Sequence, residues 1–268
     1  AHQLVGAEVF LEFPSVGATE NLMMAAVLAQ GETVIENAAR EPEITDLANF
    51  LSQMGAMIDG VGTSRVVIEG VEVLRPTTYT TIPDRIEAAT FLAAVAVCGG
   101  EVLLKGARPD HMEMLIRKLE EMGMGLTVEP SGLRAEVTDR LRAVDVSTLP
   151  YPGLATDYKP FLVAALCVAE GAGMVTENIF AGRFRYVDEL VRMGAEIRAE
   201  GRHAVVRGVE RLSGAPVRAH DIRAGAALVI AGLAAEGETV IANAYHVDRG
   251  YEDLAGKLTS VGAQVTRA

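Results

Sequence analysis

Four copies of one unit follow each other along the chain, and this repeat limits the possible folds more than any other feature of the sequence. One landmark glycine ends an apolar, Ala-rich segment. It recurs at intervals of 69, 71 and 66 residues, at Gly31, Gly100, Gly171 and Gly237. A second follows an amphipathic segment and recurs at intervals of 68, 71 and 68 residues, at Gly55, Gly123, Gly194 and Gly262. A period of this length indicates a repeated supersecondary unit.

Each unit has the pattern strand, helix, strand, helix, strand, strand. In the first unit, alternation predicts a strand over residues 9–13, and residues 18–29 are predicted to be helical. Apolar residues at spacings of three and four predict an amphipathic helix over residues 44–54. The first helices of the later units, predicted at residues 85–97, 159–169 and 223–235, are apolar nearly all round, which is typical of buried helices. We therefore predict an α/β fold with helices inside and sheets outside.

Three units per globule is the simplest way to close such a core. Counting back from the end of the chain, residues 76–268 are predicted to form one domain of three repeats. Residues 1–75 are then the last repeat of a first, incomplete domain. Pro76 marks the predicted crossing point, because proline favours extended linkers.

Composition restricts the partners. The net charge of −12 argues against a nucleic acid partner, whose binding surface would be basic. No signal peptide and no uninterrupted apolar run long enough for a membrane span is present, so we predict a cytoplasmic protein with no membrane partner. The two cysteines, Cys98 and Cys167, end apolar runs and are predicted to be small buried hydrophobes rather than disulfide or metal ligands.

Polar residues cluster where the first helix of each unit begins. The first unit has Ser15, Val16 and Gly17 there, a small loop whose free backbone N–H groups suit an anion, although an ordinary N-cap is the simpler interpretation. The later units place acids and bases at the same point, which are Asp84, Arg85, Asp157, Asp221 and Arg223. An acid is an expected cap, but an arginine in the first turn faces the positive end of the helix dipole. Arg85 and Arg223 therefore indicate an anionic ligand.

The loops before the second helices carry one arginine per unit. A single one is explained equally well as surface charge, but four matching positions predict a cleft lined with guanidinium groups, which bind phosphate and carboxylate through paired hydrogen bonds. These residues are Arg40, Arg108, Arg183 with Arg185 beside it, and Arg249. Glu41 and Glu43 add acids to the first of these loops.

These segments resemble the enolpyruvyl transferase family, and within it the branch that acts on UDP-N-acetylglucosamine at the first committed step of peptidoglycan synthesis. The matching segments run through the whole chain in family order, at residues 15–19, 36–43, 83–87, 107–110, 156–157, 183–184, 221–224 and 246–251. The resemblance implies an inside-out α/β barrel in which each of two globules holds three repeats. It also implies a role in cell wall biogenesis, and thereby in cell shape and division.

The resemblance also implies a site. Asp157 resembles the residue that takes the proton from the sugar 3-hydroxyl. Arg223 and Arg249 resemble the catalytic clamp on phosphoenolpyruvate, with Arg183 close by. The remaining matches imply contacts with the substrates, UDP-N-acetylglucosamine and phosphoenolpyruvate, by Ser15, Val16, Gly17, Glu41, Glu43, Asp84, Arg85, Ile179, Phe180 and Asp221. The reaction of this family needs no metal or organic cofactor.

The chain departs from the family pattern in two ways. Lys159 and Pro160 stand where family members often carry Gln, close to Asp157. The Lys-Asn pair and the mobile Cys- or Asp-bearing loop of the family's N-terminal half do not occur, and the match covers roughly the C-terminal two thirds. We therefore interpret the chain as a fragment, with an N-terminal segment as a possible partner and no turnover expected of it alone.

Two alternatives remain open at this point. One is an enolpyruvyl transferase of the shikimate pathway, against which the Ser15–Gly17 loop and the segment at residues 248–251 argue. The other is a truncated homologue that binds a nucleotide sugar without catalysis.

Overall fold

The computed structural model describes residues 3–267, which divide into two compact units. One unit runs up to Pro83 and includes Pro150–Pro152, and the other takes Asp84–Leu149 and continues from Gly153. Residues just before Pro83 belong to the first unit because the Tyr79 hydroxyl and the Ile82 amide both donate to the carboxylate of Asp46. The assignment of residues 1–75 and 76–268 to two family-type domains stays a prediction.

The first unit contains one copy of the repeat. Its elements in chain order are β1 (Glu8–Phe10), α1 (Val16–Ala26), β2 (Glu32–Glu36), α2 (Pro42–Gln53), β3 (Met57–Asp59) and β4 (Arg65–Glu69). They form a four-stranded sheet of order β1-β2-β4-β3, in which β1 and β2 are parallel and the other pairs are antiparallel.

The second unit contains the other three copies. The second copy consists of α3 (Arg85–Cys98), β5 (Gly100–Lys105), α4 (Glu113–Met122), β6 (Gly125–Glu129) and β7 (Gly132–Val137). The third consists of β8 (Val146–Ser147), α5 (Lys159–Val168), β9 (Ala172–Thr176), α6 (Val187–Arg192), β10 (Glu196–Glu200) and β11 (His203–Arg207). The fourth consists of β12 (Leu212–Ser213), β13 (Pro216–Arg218), α7 (Ile222–Leu233), β14 (Ala235–Glu236), β15 (Val240–Ala242), α8 (Tyr245–Asp248) and α9 (Leu254–Ser260).

Sheet topology repeats with the sequence. The third copy has the strand order β10-β11-β9-β8, the same arrangement as in the first unit, and the second copy has β5-β7-β6. The fourth copy keeps only the parallel pairs β12/β14 and β13/β15. Within residues 3–267 these sheets stay separate and do not close into a barrel.

The landmark glycines explain the period. All eight have positive φ angles, between +89° and +108°, a left-handed conformation that side chains rarely adopt. Four follow the first helix of a copy and four follow its second, amphipathic helix. Each copy therefore needs a glycine at the same two turns.

The last described residues follow α9 closely. Residues 263–267 form no strand. The Ala263 amide donates to the Leu258 carbonyl, and the Thr259 hydroxyl donates to the Val265 carbonyl at 3.1 Å. The tail therefore lies against the end of α9 instead of pairing with a sheet.

The core of the second unit is built on α3, α5 and α7, which contact one another. Nine of the ten residues of α5 are buried, and most of α3 and α7 is also buried. Strands such as β11 alternate exposed and buried residues, and the buried ones belong to the same core. The predicted arrangement of three buried helices with sheets outside is confirmed.

The two cysteines differ. Cys167 is buried in α5, and burial raises the pKa of its thiol to about 12. The prediction that Cys98 is also buried is wrong, because it is the last residue of α3 and is exposed. Gly99, with a φ of +72°, turns the chain away from the core directly after it.

None of the helices formed by residues 3–267 combines the length and the apolar character that crossing a membrane requires.

Candidate active site

The beginnings of α5 and α7 bring together three residues that the sequence analysis singled out. Asp157 lies two residues before α5, and Arg223 lies in the first turn of α7. Asp221 caps α7 by accepting a hydrogen bond of 2.8 Å from the Ala224 amide, so its carboxylate serves the helix itself. Arg183 reaches the same place from the segment between β9 and α6.

Asp157 is held between two guanidinium groups. Its Oδ1 lies 2.8 Å from Arg183 Nη2, and its Oδ2 accepts a hydrogen bond of 3.0 Å from Arg223 Nε. Burial raises the pKa of Asp157, but the charges and hydrogen bonds of the two arginines outweigh it and bring that pKa below the ordinary value. The carboxylate remains 32% exposed, so it is also accessible from solvent.

Arg223 is further fixed by Tyr251. The guanidinium carbon lies 5.7 Å from the centre of the Tyr251 ring, and the buried Tyr251 hydroxyl is hydrogen-bonded to Thr90 of α3 at 2.7 Å. Gly250 allows this approach, because a Cβ there would lie 2.6 Å from a methyl carbon of Ile222 and 3.3 Å from Arg223 Nη1. The segment that carries Arg249 and Gly250 therefore packs directly against the Arg223 side chain.

Arg249 follows α8 and is exposed. Within residues 3–267 its guanidinium has no hydrogen bond and no ion pair. An unpaired guanidinium next to the Arg223 segment suits an anionic ligand. Its assignment as half of a clamp stays a prediction.

Besides Asp157, Arg183 contacts Thr156 and Phe180. Its Nη1 donates to the Thr156 hydroxyl at 2.9 Å, and its guanidinium carbon lies 5.6 Å from the centre of the exposed Phe180 ring. The amides of Ile179 and Phe180 donate to one oxygen of Glu177, at 2.7 and 3.1 Å. These hydrogen bonds and the ion pair with Asp157 fix the segment from Glu177 to Arg183 beside Asp157.

A buried ion pair lies behind this segment, and the sequence analysis did not predict it. Lys159 Nζ is 2.8 Å from Glu177 Oε2, and both side chains are 0% exposed. Burial lowers the pKa of Lys159, and the hydrogen bonds that Glu177 accepts outweigh its burial and bring its pKa to about 2. The carboxylate of Glu177 is therefore ionised at neutral pH.

Arg85 and Asp84 begin α3. Asp84 caps the helix through hydrogen bonds from the amides of Ile86 and Glu87 at 2.7 and 3.1 Å. Arg85 is buried, and its Nη1 donates to the Tyr158 hydroxyl at 3.1 Å. All three buried helices of the second unit therefore carry a cation in their first turn, namely Arg85, Lys159 and Arg223.

The predicted loop of the first unit has the geometry of a helix cap. The Ser15 hydroxyl accepts a hydrogen bond of 3.3 Å from the Ala18 amide. Val16 begins α1, and nothing lies within 4 Å of a Cβ built on Gly17. The capping interpretation is therefore correct for Ser15, and the surface at Gly17 is open enough for a ligand to approach the helix N-terminus.

Acidic side chains gather next to this loop. Glu41 accepts a hydrogen bond from the Arg40 amide, and Glu43 lies in the first turn of α2. Burial and repulsion from these two carboxylates raise the pKa of Glu20 on α1. Among residues 3–267, no three His, Cys, Asp or Glu side chains are grouped in a way that suits a metal ion.

Sequence reasoning missed Glu177, Tyr251, Thr90 and Glu20. Lys159 gave a usable signal, because a cation within an otherwise apolar, buried helix requires a partner. Glu177 directly follows β9, and nothing in its local sequence pattern distinguishes it from a surface acid.

Comparison with known proteins gives this geometry a family context. The family model described as EPSP synthase (3-phosphoshikimate 1-carboxyvinyltransferase) matches residues 1–258. The chain belongs to the EPSP synthase family.

Curated relatives of this family member share about half of its residues. The UDP-N-acetylglucosamine 1-carboxyvinyltransferase 1 of Caldanaerobacter subterraneus subsp. tengcongensis is 54% identical over 267 residues, which are 100% of this chain and 64% of that protein. The UDP-N-acetylglucosamine 1-carboxyvinyltransferase of Nocardia farcinica is 52% identical, over 100% of this chain and 63% of its own length. The chain thus spans less than two thirds of these relatives.

Solved structures agree on the fold. The enolpyruvyl transferase NikO from Streptomyces tendae superposes with a TM-score of 0.88 at 27% identity, covering 99% of this chain and 66% of its own. EPSP synthase from Acinetobacter baumannii, at 23% identity, has a TM-score of 0.79 over 99% of this chain and 64% of its own, and shows the fold alone.

Proposed function

We propose that this chain belongs to an enzyme that transfers the enolpyruvyl group of phosphoenolpyruvate to the 3-hydroxyl of UDP-N-acetylglucosamine. The observation that carries the proposal is the carboxylate of Asp157 held by Arg183 and Arg223, next to the unpaired guanidinium of Arg249. A base and a set of cations are what this reaction needs, and the curated relatives at 52–54% identity are named for it.

The chemistry consists of an addition and an elimination. The sugar 3-hydroxyl loses its proton and its oxygen bonds to the central carbon of phosphoenolpyruvate, while the terminal carbon takes up a proton. The resulting tetrahedral intermediate then loses a proton from its methyl group and expels inorganic phosphate. The products are an enolpyruvyl ether and phosphate, and the arginines stabilise the negative charge of the phosphate throughout.

Asp157 is the proposed base. With both arginines bound to it, its pKa is lowered, and a carboxylate with a low pKa is a weak base. When an anionic substrate takes over the guanidinium of Arg223, Asp157 loses one of its two cationic partners and becomes more basic, while Arg183 stays bound to it. In this proposal, binding of phosphoenolpyruvate to Arg223 and Arg249 therefore activates the base.

The remaining candidate residues are proposed to bind the nucleotide sugar. The Ser15–Gly17 loop offers the N-terminus of α1 to the diphosphate, since free N–H groups and the helix dipole favour an anion there. The other proposed contacts are with Glu41, Glu43, Asp84, Arg85, Ile179, Phe180 and Asp221. By the same proposal the protein acts in the cytoplasm, in peptidoglycan synthesis, and affects cell shape and division. An N-terminal segment as a partner also stays a prediction.

A chimera tests the proposal. In it, this chain replaces the matching 267 residues of the Caldanaerobacter relative. We expect phosphate release that requires both phosphoenolpyruvate and UDP-N-acetylglucosamine. Release with shikimate 3-phosphate as the only effective acceptor would assign the chain to the shikimate pathway. Binding of the nucleotide sugar without any phosphate release would support a binding module.

A further inference from the structure

A buried network connects the Lys159–Glu177 ion pair to the residues around Asp157. Glu177 accepts five hydrogen bonds or ion contacts within 3.1 Å, from Lys159, Thr148, Thr156, Ile179 and Phe180. Lys159 Nζ also donates to the Arg183 carbonyl at 2.5 Å and lies 4.0 Å from the centre of the Phe184 ring. Every polar atom of the pair therefore has a partner.

The network holds Asp157 and Arg183 from both sides. Thr156, the residue before Asp157, donates its hydroxyl to Glu177 at 2.7 Å and accepts from Arg183 Nη1 at 2.9 Å. Lys159, two residues after Asp157, holds the backbone of Arg183, whose side chain is bonded to Asp157. A shift of either member of the pair would move both partners of the Asp157–Arg183 contact.

We propose that Lys159 and Glu177 are positioning residues that fix the carboxylate of Asp157 against the guanidinium of Arg183. The catalytic consequence rests on the proposed function, but the positioning itself does not. Neither residue is accessible to a substrate, since both side chains are 0% exposed.

Stability alone is a poor explanation for the pair. Removing two charges from water costs free energy that their attraction only partly returns, and apolar residues of similar volume often replace such pairs without loss. Lys159 also occupies the first position of α5, where the helix dipole disfavours a cation. A specific geometry near Asp157 accounts for both features.

The first experiment uses this 268-residue chain and does not depend on any activity. The pKa of Asp157 is measured by carboxyl ¹³C NMR in the wild type and in the double variant Lys159→Met/Glu177→Leu, which removes both charges together so that neither is left unpaired. The charged groups that face Asp157 are Arg183 and Arg223, and those that face the pair are Arg183 and Asp221. All of them are unchanged in this variant.

We expect the pKa of Asp157 to rise toward the ordinary value in the double variant, because Arg183 is no longer held against it. Lys159→Gln keeps a donor for Glu177 or for the Arg183 carbonyl, so its effect should be smaller. Arg207→Met removes the cation of an exposed ion pair with Glu196 and should leave the pKa of Asp157 unchanged. A wild-type pKa of Asp157 in the folded double variant would overturn the proposal.

The second experiment measures kinetics in the chimera. We expect kcat per folded molecule to fall roughly 10- to 100-fold in the double variant, since small displacements of a catalytic group have effects of this size. The KM for UDP-N-acetylglucosamine should rise as well, because Glu177 holds the amides of Ile179 and Phe180, which are proposed to contact the nucleotide sugar. A pair that only stabilises the fold would lower the folded fraction and leave kcat per folded molecule unchanged. If the wild-type chimera transfers no enolpyruvyl group, the proposed function fails, and the NMR titration still decides the positioning.

Discussion

Arg108 and Arg183 occupy matching loops of neighbouring repeats, but the structure gives them different partners. Arg108 forms two hydrogen bonds with Asp110, two residues along the chain, and both side chains are largely exposed. Arg183 instead bonds to Thr156 and Asp157, which are distant in sequence, and its side chain is mostly buried. The repeat therefore supplies an arginine at each loop, and among the copies as described over residues 3–267 only the third combines it with an acid from the start of a buried helix.

The difference predicts where substitutions matter. A local, exposed ion pair contributes little free energy, because water and salt screen it. A pair in a connected, buried network is sensitive to the loss of any member, because the remaining groups stay desolvated. The following predictions set residues of the third repeat against matched exposed residues.

The largest effect is expected for Asp157→Asn in the chimera. Removing the proposed base should lower kcat on the order of 10²- to 10⁴-fold and leave nucleotide-sugar binding intact. Asp110→Asn, which removes the acid of the exposed pair, should have near-normal kinetics. Steady-state rates and calorimetric binding check both variants. Near-normal turnover of Asp157→Asn would remove this residue from the mechanism.

A large stability effect is expected for Lys159→Met alone. This substitution leaves Glu177 buried without its cation, a type of change that costs about 3–5 kcal/mol of unfolding free energy. Arg207→Met, which removes the cation of an exposed ion pair with Glu196, should change the free energy of unfolding by less than about 0.5 kcal/mol. Urea unfolding of this chain measures both. Equal stability of the two variants would contradict the network described around Glu177.

Glu177 should also determine part of the loss of unfolding free energy at low pH. Its folded pKa of about 2 lies below the ordinary 4.5, so its contribution is complete above pH 4.5 and is lost as the pH falls toward 2. This lowering of the pKa of Glu177 corresponds to about 3 kcal/mol of unfolding free energy, since one pKa unit is about 1.4 kcal/mol.

Glu177→Gln should therefore flatten the dependence of unfolding free energy on pH in this window. Glu196→Gln, in the exposed ion pair with Arg207, should retain the wild-type slope. Unfolding by urea at a series of pH values provides the test, and parallel wild-type and Glu177→Gln curves would show that Glu177 carries no such contribution.

A smaller effect is expected at the proposed clamp. Arg223→Lys and Arg249→Lys in the chimera should each raise the KM for phosphoenolpyruvate roughly 10- to 150-fold, because losing one charge-assisted hydrogen bond costs about 1.5–3 kcal/mol. The KM for UDP-N-acetylglucosamine should change much less. Arg108→Lys is the matched control and should leave both constants near wild type. Equal effects on both substrates would mean that Arg223 and Arg249 only hold the fold.

The sequence by itself determined the repeat and the layers. Glycines with positive φ are required at the same two turns of each copy, and the first helices of the later copies are buried because they are apolar nearly all round. These features are local, so composition and spacing predicted them. The same local reasoning placed Asp157, Arg183 and Arg223 at helix starts and loops that the structure brings together.

Only the tertiary structure decided which polar groups became partners. Glu177 lies 18 residues after Lys159, and Tyr251 joins Thr90 across 161 positions of sequence. Such pairs have no shared local pattern, because they form wherever packing of α3, α5 and α7 removes their side chains from water.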